Sequence, residues 1–320
     1  MVRIVSLFAV ASLLLVVGVA AADPPSPDGT AGNGHEILGV VPTVAAAHSQ
    51  AGGGAGAGGN LTYHGGKVLL TNKTVAIYWS PSNAIGNGTS YSSLINQYFG
   101  DVAGASGATD NVYAVLSQYY NGTNAHIAYN SAFTGAVYDS QPYPASGCSD
   151  SVSQTTTCLS DAQLRAEIQR LYAKGTIQAD SNTTYFVFTD RNVGSCYSSS
   201  SCAFSQYCAY HSNVAFGSTT VQYANQPYAA SVPVACDPGT QPNHNEADST
   251  INVASHEHRE SINDPLGNAW YDRRGYEGSD KCAWKFGTVA SDGANQTING
   301  HRYILQQEWS NARSGCALTG

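Results

Sequence analysis

The stretch Ser255-His256-Glu257-His258-Arg259-Glu260 decides how this chain is read. It spells H-E-x-x-E, one residue short of the H-E-x-x-H helix in which two histidines hold zinc and a glutamate acts as general base. His256 and Glu260 stand four positions apart, so a helix projects both from one face, where they can share a cation. Glu257 then lies beside that cation, where a base is needed. Glutamate is scarce elsewhere: the chain has seven, and four of them (Glu246, Glu257, Glu260 and Glu277) fall within 32 residues.

The surroundings predict a helix that ends near Asn263. Asp248 or Ser249 is placed to cap its start. Asp264-Pro265 ends it, because the residue before proline avoids the α region. On the helical wheel Ile251, Ser255, His258 and Ile262 share one stripe, while Val253, His256 and Glu260 lie opposite. The apolar stripe is expected in the core and His256 and Glu260 in a cleft. His258, on the apolar stripe, reads as a packed, hydrogen-bonded histidine and not as a ligand. The same run also fits an ordinary solvated helix face.

A catalytic zinc takes three protein ligands and leaves one position open. The metzincin place for the third, ten residues after His256, is Leu266, which excludes that layout. Asp264 reads as serving the helix end. Beyond the loop, Glu277-Gly278-Ser279-Asp280 offers two carboxylates, and Gly275 and Gly278 permit a tight backbone there. Either Asp280 or Glu277 completes a set of one histidine and two carboxylates. Such a hard, anionic set suits zinc, with calcium and manganese as alternatives.

Residues 1–22 read as an export signal: one early Arg3, an apolar run over residues 4–19, and Ala20-Ala21-Ala22 before Asp23. No later segment is apolar enough to span a bilayer, so no stable membrane anchor is expected. The eight cysteines agree with export, because an even count in an exported chain reads as a disulfide framework. All lie in the second half, and Cys148–Cys158 and Cys282–Cys316 are the pairings expected. Residues 23–59, with Pro24-Pro25, Pro27 and a run of only Gly and Ala over 52–59, read as a flexible linker. A pro-segment that masks a site is the functional alternative.

Residues 60–320 are expected to form one domain. Val75-Ala76-Ile77-Tyr78-Trp79 and Tyr185-Phe186-Val187-Phe188 read as buried strands, and residues 214–223 as another. Helices are expected over 92–102, around Val112, Val115, Leu116 and Tyr119, and over 160–175, where Ser160 and Gln163 make a capping box and Gly175 the stop. Asn299-Gly300 marks a hairpin turn. Strands alternating with helices give a mixed α/β fold: a single zincin-like domain with a mixed sheet, packed helices and a disulfide-rich second half.

Charge is sparse, at 11% of residues and net −8, with only five lysines. That excludes a basic nucleic-acid footprint. No G-x-S-x-G elbow is present, and paired cysteines leave no thiol nucleophile. His211 could orient a substrate or make a local hydrogen bond, and His64 lies in a glycine turn; neither is given a role.

The run from Ser255 through Asn263-Asp264-Pro265 and Ala269-Trp270-Tyr271 to Asp280-Lys281-Cys282 resembles the hallmark of the EXORDIUM / phosphate-induced protein 1 family. Plant members carry a similar H-E-x-x-E, then N-P-x-x-x-A-W-Y, then G-D-x-C; Ser279 stands here for the glycine. Tyr63-His64-Gly65-Gly66 and Gln307-Glu308-Trp309-Ser310-Asn311 match too, and the chain resembles secreted microbial relatives more closely still, Cys208-Ala209-Tyr210-His211-Ser212 included. The resemblance covers roughly residues 60–320. It implies an exported protein of the apoplast or medium, with plant members linked to growth and cell-expansion signalling, and it groups His256, Glu257, Glu260 and Asp280 as one unit.

The function expected is a secreted metal-dependent hydrolase, a zinc metallopeptidase acting on extracellular protein or peptide. His256 and Glu260 would ligate the metal, with Asp280 or Glu277, and Glu257 would be the base. The alternative is a non-catalytic extracellular or cell-wall-associated binding or signalling protein with a structural metal or none. A third option, polysaccharide binding, would use the abundant tyrosines.

Overall fold

A computed structural model describes residues 29–30, 35–50, 58–150 and 157–320. The expected signal segment therefore lies outside the described residues. Its principal elements are β1 (Gly39–Pro42), β2 (Asn72–Trp79), α1 (Ser90–Gly104), β3 (Ser131–Asp139), α2 (Asp161–Ala173), β4 (Thr183–Thr189), β5 (Tyr207–Phe216), β6 (Thr219–Gln226) and α3 (Ala247–Asn263). The expected mixed α/β fold with a disulfide-rich second half is what forms.

One six-stranded sheet runs in the order β1-β5-β6-β4-β2-β3. β3, β2, β4 and β6 are parallel, whereas β5 runs antiparallel to both β6 and β1. The central strands are buried on both faces, which is why their sequences are continuous apolar runs and not alternating ones. Ala76, Tyr78, Phe186 and Phe188 point to one side, where α1 and α3 pack. Ile77, Trp79, Tyr185 and Val187 point to the other, where Leu164, Ile168 and Leu171 of α2 cover them. The chain steps from β2 through α1 to β3, then back through α2 to β4 on the opposite flank of β2. Right-handed crossovers in opposite directions put the two helices on opposite faces.

Local signals read well where they were strong. Ser160 and Gln163 close the expected capping box on α2, and Gly175 takes a φ of +73° past its end. Asn299 and Gly300 both have positive φ, as a two-residue hairpin turn requires. The segment 112–118 is a 3-10 helix instead of an α-helix. Residues 214–223 belong to two strands, β5 and β6, turning at Gly217. The helix α3 begins at Ala247, and the Asp248 carboxylate accepts from Asn243 in the preceding turn.

The linker reading of residues 23–59 is corrected for residues 35–50. Gly39–Pro42 forms an edge strand on β5, and Val44–Gln50 a short helix. The Gly/Ala run concealed this, but Ile37-Leu38-Gly39-Val40-Val41 is an apolar run long enough to add a strand, and all five residues are buried.

All four disulfides form, including the two expected: Cys148–Cys158, Cys196–Cys202, Cys208–Cys236 and Cys282–Cys316. No helix among the described residues is long and apolar enough to cross a membrane. The disulfides fit an oxidising compartment.

Every residue of α3 is buried, because the sheet and α1 cover one side and the chain after Asp264 wraps the other. Arg259, 0% exposed, fastens that wrap. Its Nε donates to Glu308 Oε2 at 2.9 Å, and its Nη2 to the Gln306 carbonyl at 3.2 Å. Ser279 Oγ donates to the same Glu308 oxygen. A side chain at Gly278 would meet Glu308 Oε1 at 1.8 Å, so only glycine lets the loop pass. Removing one partner of such a buried pair strands the other. Arg259→Leu should therefore cost about 3–5 kcal/mol in urea unfolding, and the double variant with Glu308→Leu should recover most of it.

Candidate metal centre

α3 presents three ionisable residues toward β5, β1 and the chain that follows the helix: His256, Glu257 and Glu260. His258 points the other way, as the wheel predicts. Its Nε2 donates to Asn72 Oδ1 at 3.0 Å, and its Nδ1 accepts from Tyr113 Oη at 2.9 Å, with Phe99 and Phe186 edge-on. Burial holds its pKa down at about 3, so it is a neutral core group.

His256 Nδ1 donates to Gln306 Oε1 at 3.0 Å. That oxygen also accepts the Trp284 N–H at 3.1 Å, which fixes the amide orientation and hence the tautomer. His256 Nε2 then faces Glu260 Oε1 at 3.0 Å and Asp280 Oδ1 at 3.4 Å, without hydrogen-bond geometry to either. Without a proton on Nε2, its lone pair would face two carboxylate oxygens. Such an arrangement calls for a positive charge between them, either a proton on Nε2 or a cation. The oxygen and nitrogen separations match ligands about 2.0–2.2 Å from one zinc-sized ion. The Gln306 contact is the kind that orients a metal-bound histidine. The residues present thus fit a divalent cation.

Of the two expected third partners, Asp280 is the one brought to His256 and Glu260. The clamp from Arg259 through Glu308 to Ser279 holds it there, and its own N–H donates to Glu260 Oε1 at 3.0 Å. Glu277 does not join His256. It turns to His211 on β5, with Oε2 3.9 Å from His211 Nε2. His211, Glu260 and Glu277 form a second close group. Asp264, as expected, serves the helix end: its Oδ1 accepts from the N–H groups of Asn268 and Ala269. His64 stacks on Tyr271 and pairs with Thr62.

Glu257 lies between these groups with both oxygens engaged. Oε2 accepts from His211 Nδ1 at 3.0 Å, and Oε1 from the Val41 N–H at 3.1 Å. The expected open cleft is corrected here: His256, Glu257 and Glu260 are buried, and β1 is the roof. Gly39 sits on the cluster so closely that a Cβ would lie 2.3 Å from Glu260 Oε2, 2.4 Å from His211 Cε1 and 2.5 Å from Glu277 Oε2. Asp280 also lines a pocket of about 220 Å³ beside β1, together with Val40, Pro42, Gln206 and Tyr276.

Sequence reasoning gave His211 and Gln306 no part in this site. The excess of glutamate near the motif was the available signal for a large acidic cluster. The pairing that brings His211 under Glu257 is tertiary and left no local trace. Compared with known families, curated proteins and solved structures, the chain matches none.

Burial, and next to it the Asp280 charge for Glu260, holds both Glu257 and Glu260 at about 8, against 4.5 for a free glutamate. An acid raised on folding takes up protons between those values, so its contribution is fully present below the unfolded pKa and is lost as pH rises through the folded one. His256, where the Glu260 and Asp280 carboxylates overcome burial, is held well above its usual value and adds to the same slope. Lowered by burial, His211 works against it. The chelator-treated protein should lose several degrees of melting temperature between about pH 5 and about pH 8. Calorimetry with and without zinc checks this: a saturating divalent ion should flatten the slope.

Proposed function

We propose that the protein is an exported metal-dependent hydrolase, a zinc metallopeptidase, with His256, Glu260 and Asp280 as metal ligands and Glu257 as general base. The observation that carries the reading is His256, its Nδ1 fixed by Gln306 and its Nε2 aimed between two buried carboxylates. The resemblance of residues 255–282 to the EXORDIUM / phosphate-induced protein 1 family supports treating these residues as a unit. Membership of that family, and secretion by way of residues 1–22, belong to the same proposal.

A bound divalent ion supplies polarisation of a substrate carbonyl and acidification of water. Glu257 takes the proton of the attacking water as its oxygen bonds to the carbonyl carbon. The carbon–nitrogen bond then breaks, and the proton passes from Glu257 to the leaving amine. For this, Glu257 needs a free oxygen, and Oε1 is held by the Val41 N–H. β1 lies in extended form on β5 above the cluster, where an extended peptide could lie instead. The reading thus makes residues 36–43 a cover that must move, which is the pro-segment alternative raised by the sequence.

A second reading, a non-catalytic extracellular protein with a structural cation, is favoured by that same roof and by the full burial of the cluster. Metal analysis and digestion of an unstructured protein substrate separate the two. Glu257→Gln should keep its metal and lose about 100- to 10,000-fold in hydrolysis. Metal bound with no digestion by any form would leave the structural-cation reading. Gly39→Val, whose side chain β1 cannot accommodate over the cluster, should raise hydrolysis with the fold intact by circular dichroism. Unchanged or lower hydrolysis in a folded variant would make β1 a fixed wall.

A further inference from the structure

The first metal set leaves His211 and Glu277 unused, although both are buried against it. Their arrangement repeats that of the first set. His211, like His256, spends Nδ1 on a fixed acceptor: Glu257 Oε2 for one, Gln306 Oε1 for the other. Each then points a buried Nε2, without a hydrogen bond, toward carboxylate oxygen. The shared element is Glu260. Its Oε1 lies 3.0 Å from His256 Nε2, while its Oε2, buried and without a hydrogen bond, faces the other way, 3.7 Å from His211 Nδ1. Glu277 Oε2 lies 3.9 Å from His211 Nε2.

We propose that the cluster is a two-cation centre bridged by Glu260. One ion is held by His256 Nε2, Glu260 Oε1 and Asp280, the other by His211 Nε2, Glu260 Oε2 and Glu277. The proposal rests on the metal-centre reading above and extends it from one ion to two. The two sets span one carboxylate, which suits the separation of about 3.5–4 Å usual for paired metal ions. Two imidazoles and three carboxylates select transition-type divalent ions such as zinc or manganese over calcium, which takes oxygen alone. The charge agrees: the cluster's four carboxylates (Glu257, Glu260, Glu277 and Asp280) balance two divalent ions, and the buried cations nearby, Arg259 and Lys281, are already engaged by Glu308 and Asp272. Two ions also give a substrate carbonyl and the attacking water a positive charge each.

The test is metal content of the full-length folded protein, by mass spectrometry after equilibration with zinc. Wild type should hold two ions per chain. His211→Gln and Glu277→Gln should each hold one, as should His256→Gln, whereas Glu260→Gln should weaken both sites. With manganese in place of zinc, the second equivalent should broaden the electron paramagnetic resonance signal of the first by coupling. That coupling is absent from His211→Gln and from Glu277→Gln; the second of these covers the case in which the first does not fold. One ion per wild-type chain, unchanged in Glu277→Gln, would overturn the two-ion centre while leaving the single-ion hydrolase standing. No bound ion in wild type would overturn both.

Discussion

An excess of negative charge without solvent is the constraint around which this molecule is built. Glu257, Glu260, Glu277 and Asp280 meet beside two histidines under the roof of β1. Buried carboxylates that repel one another are costly unless protons, donors or cations answer them. The fold supplies a few donors, such as the N–H groups of Val41 and Asp280, and two imidazoles. Among the described residues, it places no lysine or arginine side chain among these oxygens. Two basic groups lie near, and both are taken: Arg259 by Glu308, and Lys281 by Asp272 at 2.5 Å.

Those two ion pairs explain how the cluster is held in place. The Arg259 pair pins the chain after α3 to the helix, the Lys281 pair ties two parts of that chain to each other, and the disulfide between Cys282 and Cys316 closes the same region. The loop bearing Glu277 and Asp280 can therefore approach α3 closely despite the repulsion among its carboxylates. The helix in turn has no solvent face. One side seats His258 among aromatic rings, and the other seats the acidic group, so a single element joins the apolar core to the polar site.

Much of this was legible in the sequence, because it depends on neighbours along the chain. Four-residue spacing placed His256 with Glu260 and separated them from His258. The capping box at Ser160, the stop at Gly175 and the hairpin at Asn299-Gly300 are likewise local. What could not be read depends on pairing between distant segments. His211 reaches Glu257 only because β5 runs beside α3, and Glu277 parts from Asp280 only because the loop straddles Glu260. The strand at Gly39–Pro42 was hidden by its neighbours: the prolines and the Gly/Ala run around it read as a linker, whereas Gly39 marks a close approach of backbone to carboxylate.

The same strand has a bearing on self-association. β1 is the terminal strand beside β5, and it satisfies the outward N–H and C=O groups of Tyr207, Ala209 and His211. Lifting it would leave an apolar strand with unpaired backbone, the kind of border that recruits strands from other molecules. Exposing the cluster and exposing an adhesive border are thus one event. A chain that opened its site without a ready occupant for the vacated lane would tend to self-associate, so uncovering is safest when it coincides with the arrival of an extended peptide.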